Sequence, residues 1–124
     1  MASKTVLDVG NCGPDHASIK RMLTKHFEVE LLQSHLTDDT LETLRAKPVD
    51  LVLINRKLDS DYSDGTNVLE EIKADDSLKQ IPVMLVTNLE EHQQAAIELG
   101  AERGFGKLAL EDPKTHQLLQ PFLG

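Results

Sequence analysis

Three polar residues stand where apolar runs stop: Asn55 closes Val49-Asp50-Leu51-Val52-Leu53-Ile54, Thr87 closes Pro82-Val83-Met84-Leu85-Val86, and Lys107 follows Arg103-Gly104-Phe105. In open α/β sheets the groove outside the carboxyl ends of the strands is where ligands and chemistry sit. Asn55 therefore occupies a position at which a function is expected, although Asn is also common wherever a strand turns into a loop. The loop after Asn55 holds Asp59, Asp61 and Asp64. Asp59, Asp61, Ser63 and Glu70 have the first, third, fifth and twelfth positions of a calcium loop. Asp64 takes the required glycine position, so a solvated acidic loop is favoured over a calcium site. Cys12, the only cysteine, lies near a helix start where a thiol pKa can fall, but it has neither a resolving cysteine nor an adjacent base. His16, His26, His35, His92 and His116 show no metal-ligand spacing and read as surface residues.

The elements that must position these residues follow from periodicity. Val49 to Asn55 is rich in β-branched residues and reads as a strand buried on both faces, which belongs in a parallel sheet covered by helices. Val6-Leu7-Asp8-Val9 forms a first strand, with Asp8 either a satisfied polar group in the core or a sign that the strand phase differs. Gly10-Asn11-Cys12-Gly13-Pro14 must turn. Pro14 or Asp15 opens a helix whose Ile19, Met22 and Leu23 share one face, and Lys25-His26 suits its negative end. Phe27 to Leu31 alternates as an edge strand does. Thr37-Asp38-Asp39 caps a helix presenting Leu41 and Leu44. From Gly65, residues Val68, Leu69 and Ile72 return to helical spacing. Asn88 can cap a helix that packs Ala95, Ala96 and Leu99 and stops at Gly100. Asp112-Pro113 opens a last helix with Leu118, Leu119 and Phe122 inward.

Five strand signals alternating with five helix signals imply right-handed βαβ crossovers and a doubly wound parallel sheet in a single domain, residues 1–124. The formal charge of −8 argues against nucleic acid as the main partner. No run of about 18 apolar residues is present, so no membrane span is expected. The amino terminus lacks the apolar core of a signal peptide, and a cytoplasmic location is expected.

Asp50-Leu51-Val52-Leu53-Ile54, Gly65 with Val68-Leu69, Ile81-Pro82-Val83, Thr87, and Gly100-Ala101 followed by Lys107 recur in the order and nearly the spacing of a known family. The chain resembles the receiver domain of bacterial two-component response regulators along almost its whole length. The resemblance implies a flavodoxin-like five-stranded sheet of order 2-1-3-4-5 with five helices. It also implies a phosphoacceptor Asp at the end of the third strand, an acidic pair holding Mg²⁺ after the first, and a hydroxyl and a lysine that bind phosphoryl oxygens. Carried over position by position, the acidic pair falls on Gly10 and Asn11, the phosphoacceptor on Asn55, the hydroxyl on Thr87 and the lysine on Lys107. The aromatic switch position falls on Gly104. Only Thr87 and Lys107 match.

Losing the carboxylates removes most of the attraction for Mg²⁺, a hard cation, and with it the main stabiliser of a transferring phosphoryl group. An amide is also too poor a nucleophile to form an acyl phosphate. The expectation is a non-enzymatic pseudo-receiver with no metal and no cofactor. It signals through protein partners on the face of the fourth helix, fifth strand and fifth helix, about Glu90 to Leu99, Arg103 to Lys107 and Thr115 to Phe122. A homodimer through that face is one form of this. Leu108-Ala109-Leu110 reads either as part of that surface or as a loop tucked onto the last helix. Lys107 is expected to pair with the Asn55 carbonyl or a loop acid such as Asp59. The alternative is a residual phosphoacceptor or small-ligand switch in which Asp59 or Asp64 replaces the missing metal ligands.

Overall fold

The computed structural model describes residues 3–124. The strands are β1 (Lys4–Val9), β2 (Val29–Ser34), β3 (Leu51–Asn55), β4 (Val83–Val86) and β5 (Glu102–Phe105). Between and after them run the helices α1 (Gly13–His26), α2 (Thr37–Ala46), α3 (Gly65–Ala74), α4 (Glu90–Glu98) and α5 (Pro113–Leu123). A short 3₁₀ turn at Lys107–Ala109 leads into α5. The strands are parallel and ordered β2-β1-β3-β4-β5, as expected for the flavodoxin-like arrangement. Among the described residues no helix is long and apolar enough to cross a membrane.

Central β3 is why the sheet is covered on both sides. Strand residues point alternately to opposite faces. Val52 and Ile54 join Val68, Leu69, Ile72, Leu44 and Ala96 in one layer, against α2, α3 and α4. Leu51 and Leu53 join Ile19, Met22, Leu23, Leu119 and Leu123 in the other, against α1 and α5. Each such side chain withdrawn from water contributes about 1.5–3 kcal/mol. That is enough to hold the strand whatever happens at its end.

Several local expectations change. β3 begins at Leu51 rather than Val49, because Asp50 accepts the Thr5 backbone N–H (2.8 Å) as the chain enters the sheet. The second strand begins at Val29 and runs to Ser34, since pairing with β1 continues from Lys4 opposite Val29 to Val9 opposite Ser34. Thr37 lies inside α2 instead of capping it. There the Asp39 carboxylate reaches back to the Leu36 and His35 N–H groups at 2.7 and 3.0 Å. Ala95 and Leu99 face solvent, and Gln93 with Ala96 forms the buried stripe of α4. Gly100, at φ +106°, does end that helix as expected. Asp112 caps α5 through the Lys114 N–H (2.9 Å), with Pro113 in the first turn.

Candidate functional site

The carboxyl ends of β3, β4 and β5 open onto a groove of about 320 Å³ lined by Asn55, Arg56, Lys57, Val86, Thr87, Asn88, Leu89 and Lys107. The strand-end residues singled out from the sequence, Asn55, Thr87 and Lys107, are thus brought together. Gly10 and Asn11 lie behind Asn55, at the end of β1.

Asn55 works as a staple. Its Nδ2 donates to the Lys57 carbonyl (2.7 Å) and to the Gly10 carbonyl (3.3 Å), and the Gly10 carbonyl also accepts the Asp59 backbone N–H (3.0 Å). Gly10 itself has φ +75°, a left-handed conformation that favours glycine. A Cβ there would lie 2.5 Å from Leu58 Cδ2 and 3.0 Å from Leu58 Cα. The buried Leu58, supplied by the loop after β3, packs against the place where an acidic side chain would begin.

Asp8, Asn11 and His16 form a polar knot beneath that contact. Asp8 is fully buried; one carboxylate oxygen takes the Asn11 amide N–H and the other lies 2.7 Å from His16 Nδ1. Asp8 is therefore a satisfied polar group within the core. Burial pushes its pKa up, against the opposing pull of Asn11, His16 and Lys107. Asn11 is equally buried, and its Oδ1 has no hydrogen-bond partner among the described residues. These residues do not suit Mg²⁺, which favours several carboxylate and water oxygens. Position 10 has no side chain, position 11 offers one neutral oxygen, and both Asp8 oxygens are engaged by nitrogen groups.

Lys107 pairs with neither expected partner. Its Nζ donates to Asp15 Oδ2 on α1 at 2.7 Å, so the ammonium is turned towards the first helix. That bond holds the Asp15 carboxyl below its ordinary range, helped by the Cys12 thiol, which donates to the same oxygen (3.3 Å). The loop acids are also engaged. Asp61 accepts from Ser63, Asp64 caps α3 by accepting from the Thr66 N–H (3.0 Å), and Asp59 lies 3.4 Å from His35 Nδ1.

At the position expected for a switch residue, Gly104 admits no side chain at all, since a Cβ would lie 2.2 Å from the Leu85 carbonyl oxygen. Its N–H donates to Gln93 Oε1 (2.9 Å), while Gln93 Nε2 donates to the carbonyls of Leu85 (3.0 Å) and Thr87 (3.2 Å). One buried amide therefore ties α4 to β4 and β5. Thr87 Oγ1 accepts the Leu89 N–H (3.3 Å) in the turn before α4, whose N-cap is Leu89 and which starts without a side-chain cap. Asn88 instead accepts the Leu108 N–H (3.1 Å). Leu108 is 89% exposed, whereas Leu110 packs onto the α1 and α5 layer, so the two readings of that tripeptide divide between its ends. Leu58, His16, Asp15 and Gln93 were not singled out as site residues. Gln93 left one trace in the sequence, its i, i+3 spacing from buried Ala96.

No family model and no curated protein sequence matches this chain. Solved structures do. The bacteriophytochrome response regulator AtBRR is 25% identical with a TM-score of 0.76, covering 100% of this chain and 97% of its own. The N-terminal domain of a response regulator receiver protein from Methanoculleus marisnigri JR1 is 25% identical with a TM-score of 0.72, covering 97% and 94%. The signal receiver domain of a DNA-binding response regulator from Colwellia psychrerythraea 34H is 20% identical with a TM-score of 0.71, covering 95% and 99%. The chain has the fold of response regulator receiver domains.

Proposed function

We propose that this chain is a pseudo-receiver that acts in two-component-type signalling through protein contacts and without phosphorylation. The observation that carries this reading is Leu58 packed on Gly10, which leaves no room for a metal-holding carboxylate where receivers need one. Asn55 supports it independently, because its amide is committed to two backbone carbonyls and cannot act as nucleophile. Gln93 supplies the remaining part. With Gly104 fixed to it, there is no aromatic side chain to swing and the α4–β5 segment is held in one arrangement. The partner surface is the α4–β5–α5 face, where Leu89, Leu99 and Leu108 remain exposed. A second copy of the chain is one candidate occupant, and nucleic acid is disfavoured by the net charge of −8. Such a module works in the cytoplasm and needs no cofactor.

A second reading, an anion-responsive switch, draws on Arg56, Lys57 and Lys107 around the groove. Amide NMR separates the two. Titration with Mg²⁺ and then beryllofluoride, a mimic of the phosphorylated carboxylate, should leave Asn11, Asn55, Thr87 and Lys107 unmoved. Saturable shifts localised there would overturn the constitutive reading. The Asn55→Asp variant sharpens the test: incubated with acetyl phosphate and Mg²⁺, it should gain no phosphoryl mass.

A further inference from the structure

We propose that His26, Glu111 and His116 form a binding site for a borderline divalent cation of the Zn²⁺ class, where the end of α1 meets the start of α5. The sequence separates these histidines widely, and the fold brings them into contact. Their rings stack with centroids 3.8 Å apart and planes inclined by 29°. Glu111 stands beside them, its Oε2 3.7 Å from His26 Nε2, and one ligand atom from each of the three residues lies within 4.8 Å of the others.

Two imidazoles and a carboxylate, with a fourth position left for water, are a donor set that zinc uses. Nitrogen donors select against Mg²⁺ and Ca²⁺, which prefer oxygen. Zinc bonds of about 2.0–2.1 Å place neighbouring ligand atoms roughly 3.3 Å apart, so the ligand atoms must close by no more than about 1.5 Å, and because a metal binds in the plane of each imidazole the stacked rings must splay apart as they do. His26 and Glu111 are exposed and can rotate to do so.

An independent feature points the same way. His116 Nε2 lies 2.9 Å from the Leu110 carbonyl oxygen, which can only accept, so Nε2 carries a proton and Nδ1 is the nitrogen able to offer a lone pair. Metal-binding histidines are oriented in this way by a carbonyl or carboxylate behind them. The competing cation is Lys25, whose Nζ is 3.4 Å from Glu111 Oε2. Both partners are largely exposed, and such a pair yields readily. A bound ion would cross-link the first and last helices.

The test is isothermal titration of the full chain with Zn²⁺ alone, and separately with Mg²⁺. Zn²⁺ should bind at a single saturable site and Mg²⁺ should give no heat. His26→Gln and His116→Gln should each weaken Zn²⁺ binding by about tenfold or more, while His92→Gln leaves it unchanged. Glu111→Gln, an exposed change, serves should either histidine variant fail to fold, and it too should weaken binding. No saturable binding up to about 100 µM Zn²⁺, or wild-type affinity in any of the three site variants, overturns the proposal.

Discussion

β3 and the loops at its carboxyl end are held by different forces. Within the strand, Leu51, Val52, Leu53 and Ile54 are fully buried and alternate between two apolar layers. One residue further on, order depends on directed polar contacts: Asn55 to the Gly10 and Lys57 carbonyls, Asp8 to Asn11 and His16, Lys107 to Asp15, and Gln93 to three backbone groups. Apolar burial depends on area and is indifferent to what stands at the strand end, so the fold does not depend on which residues form the groove. A directed network fixes only its own members. The receiver-type fold and the identity of the residues at its carboxyl-end groove are therefore separable.

The contrast can be tested from its most stable side downwards. Leu53→Ala leaves a cavity between β3 and the α1–α5 layer and should cost about 2–5 kcal/mol in urea unfolding. A loss under about 1 kcal/mol would mean that the layer collapses around the gap and the core is not the rigid half of the comparison. Gly10→Asp places an acid where the resemblance expects one but meets Leu58 in a left-handed backbone conformation. It should cost about 2–4 kcal/mol and gain no Mg²⁺ binding. A stable variant that binds Mg²⁺ at millimolar concentration would show that Leu58 moves aside and that the site is merely dormant.

Gln93→Leu keeps the bulk and removes the bonds, stranding the Gly104 N–H. A loss of about 1–3 kcal/mol is expected, with faster hydrogen exchange at Gly104. Unchanged exchange there would separate Gln93 from the fixed state of α4 and β5. The smallest expected effect is in pH dependence. Asp8 has a folded-state pKa above its unfolded value, so the folded state binds the proton more tightly and stability falls as pH rises from about 4 through the raised value. Asp75 has the opposite sign: Ser77 and Arg45 hold it down to about 2, so its contribution is present above about pH 4 and is lost as pH falls towards 2. Asp8→Asn should remove the first slope, and the urea midpoint of the variant should gain on that of the wild type between pH 4 and 8. A constant gap would show that His16 compensates the buried charge fully.

Much of this was legible from residue types alone. The alternation of strand and helix signals, the two-faced burial of Leu51 to Ile54, the Asp112-Pro113 start and the Gly100 stop are local patterns, because period and backbone preference act within a few residues. The absence of an acid at position 55 and the match at Thr87 and Lys107 are equally matters of residue identity. Contacts between distant segments were not legible. That Leu58 packs on Gly10, that Lys107 turns to Asp15, that Gln93 reaches Gly104 and that His26 stacks on His116 depend on which loops and helix ends the parallel sheet sets side by side. The sequence by itself determined the layers and the amide at the end of the third strand, since both follow from side-chain chemistry and short-range periodicity. The partners of the remaining polar groups were decided only by tertiary structure, because a hydrogen bond is specified by distance and direction across the fold and not by spacing along the chain.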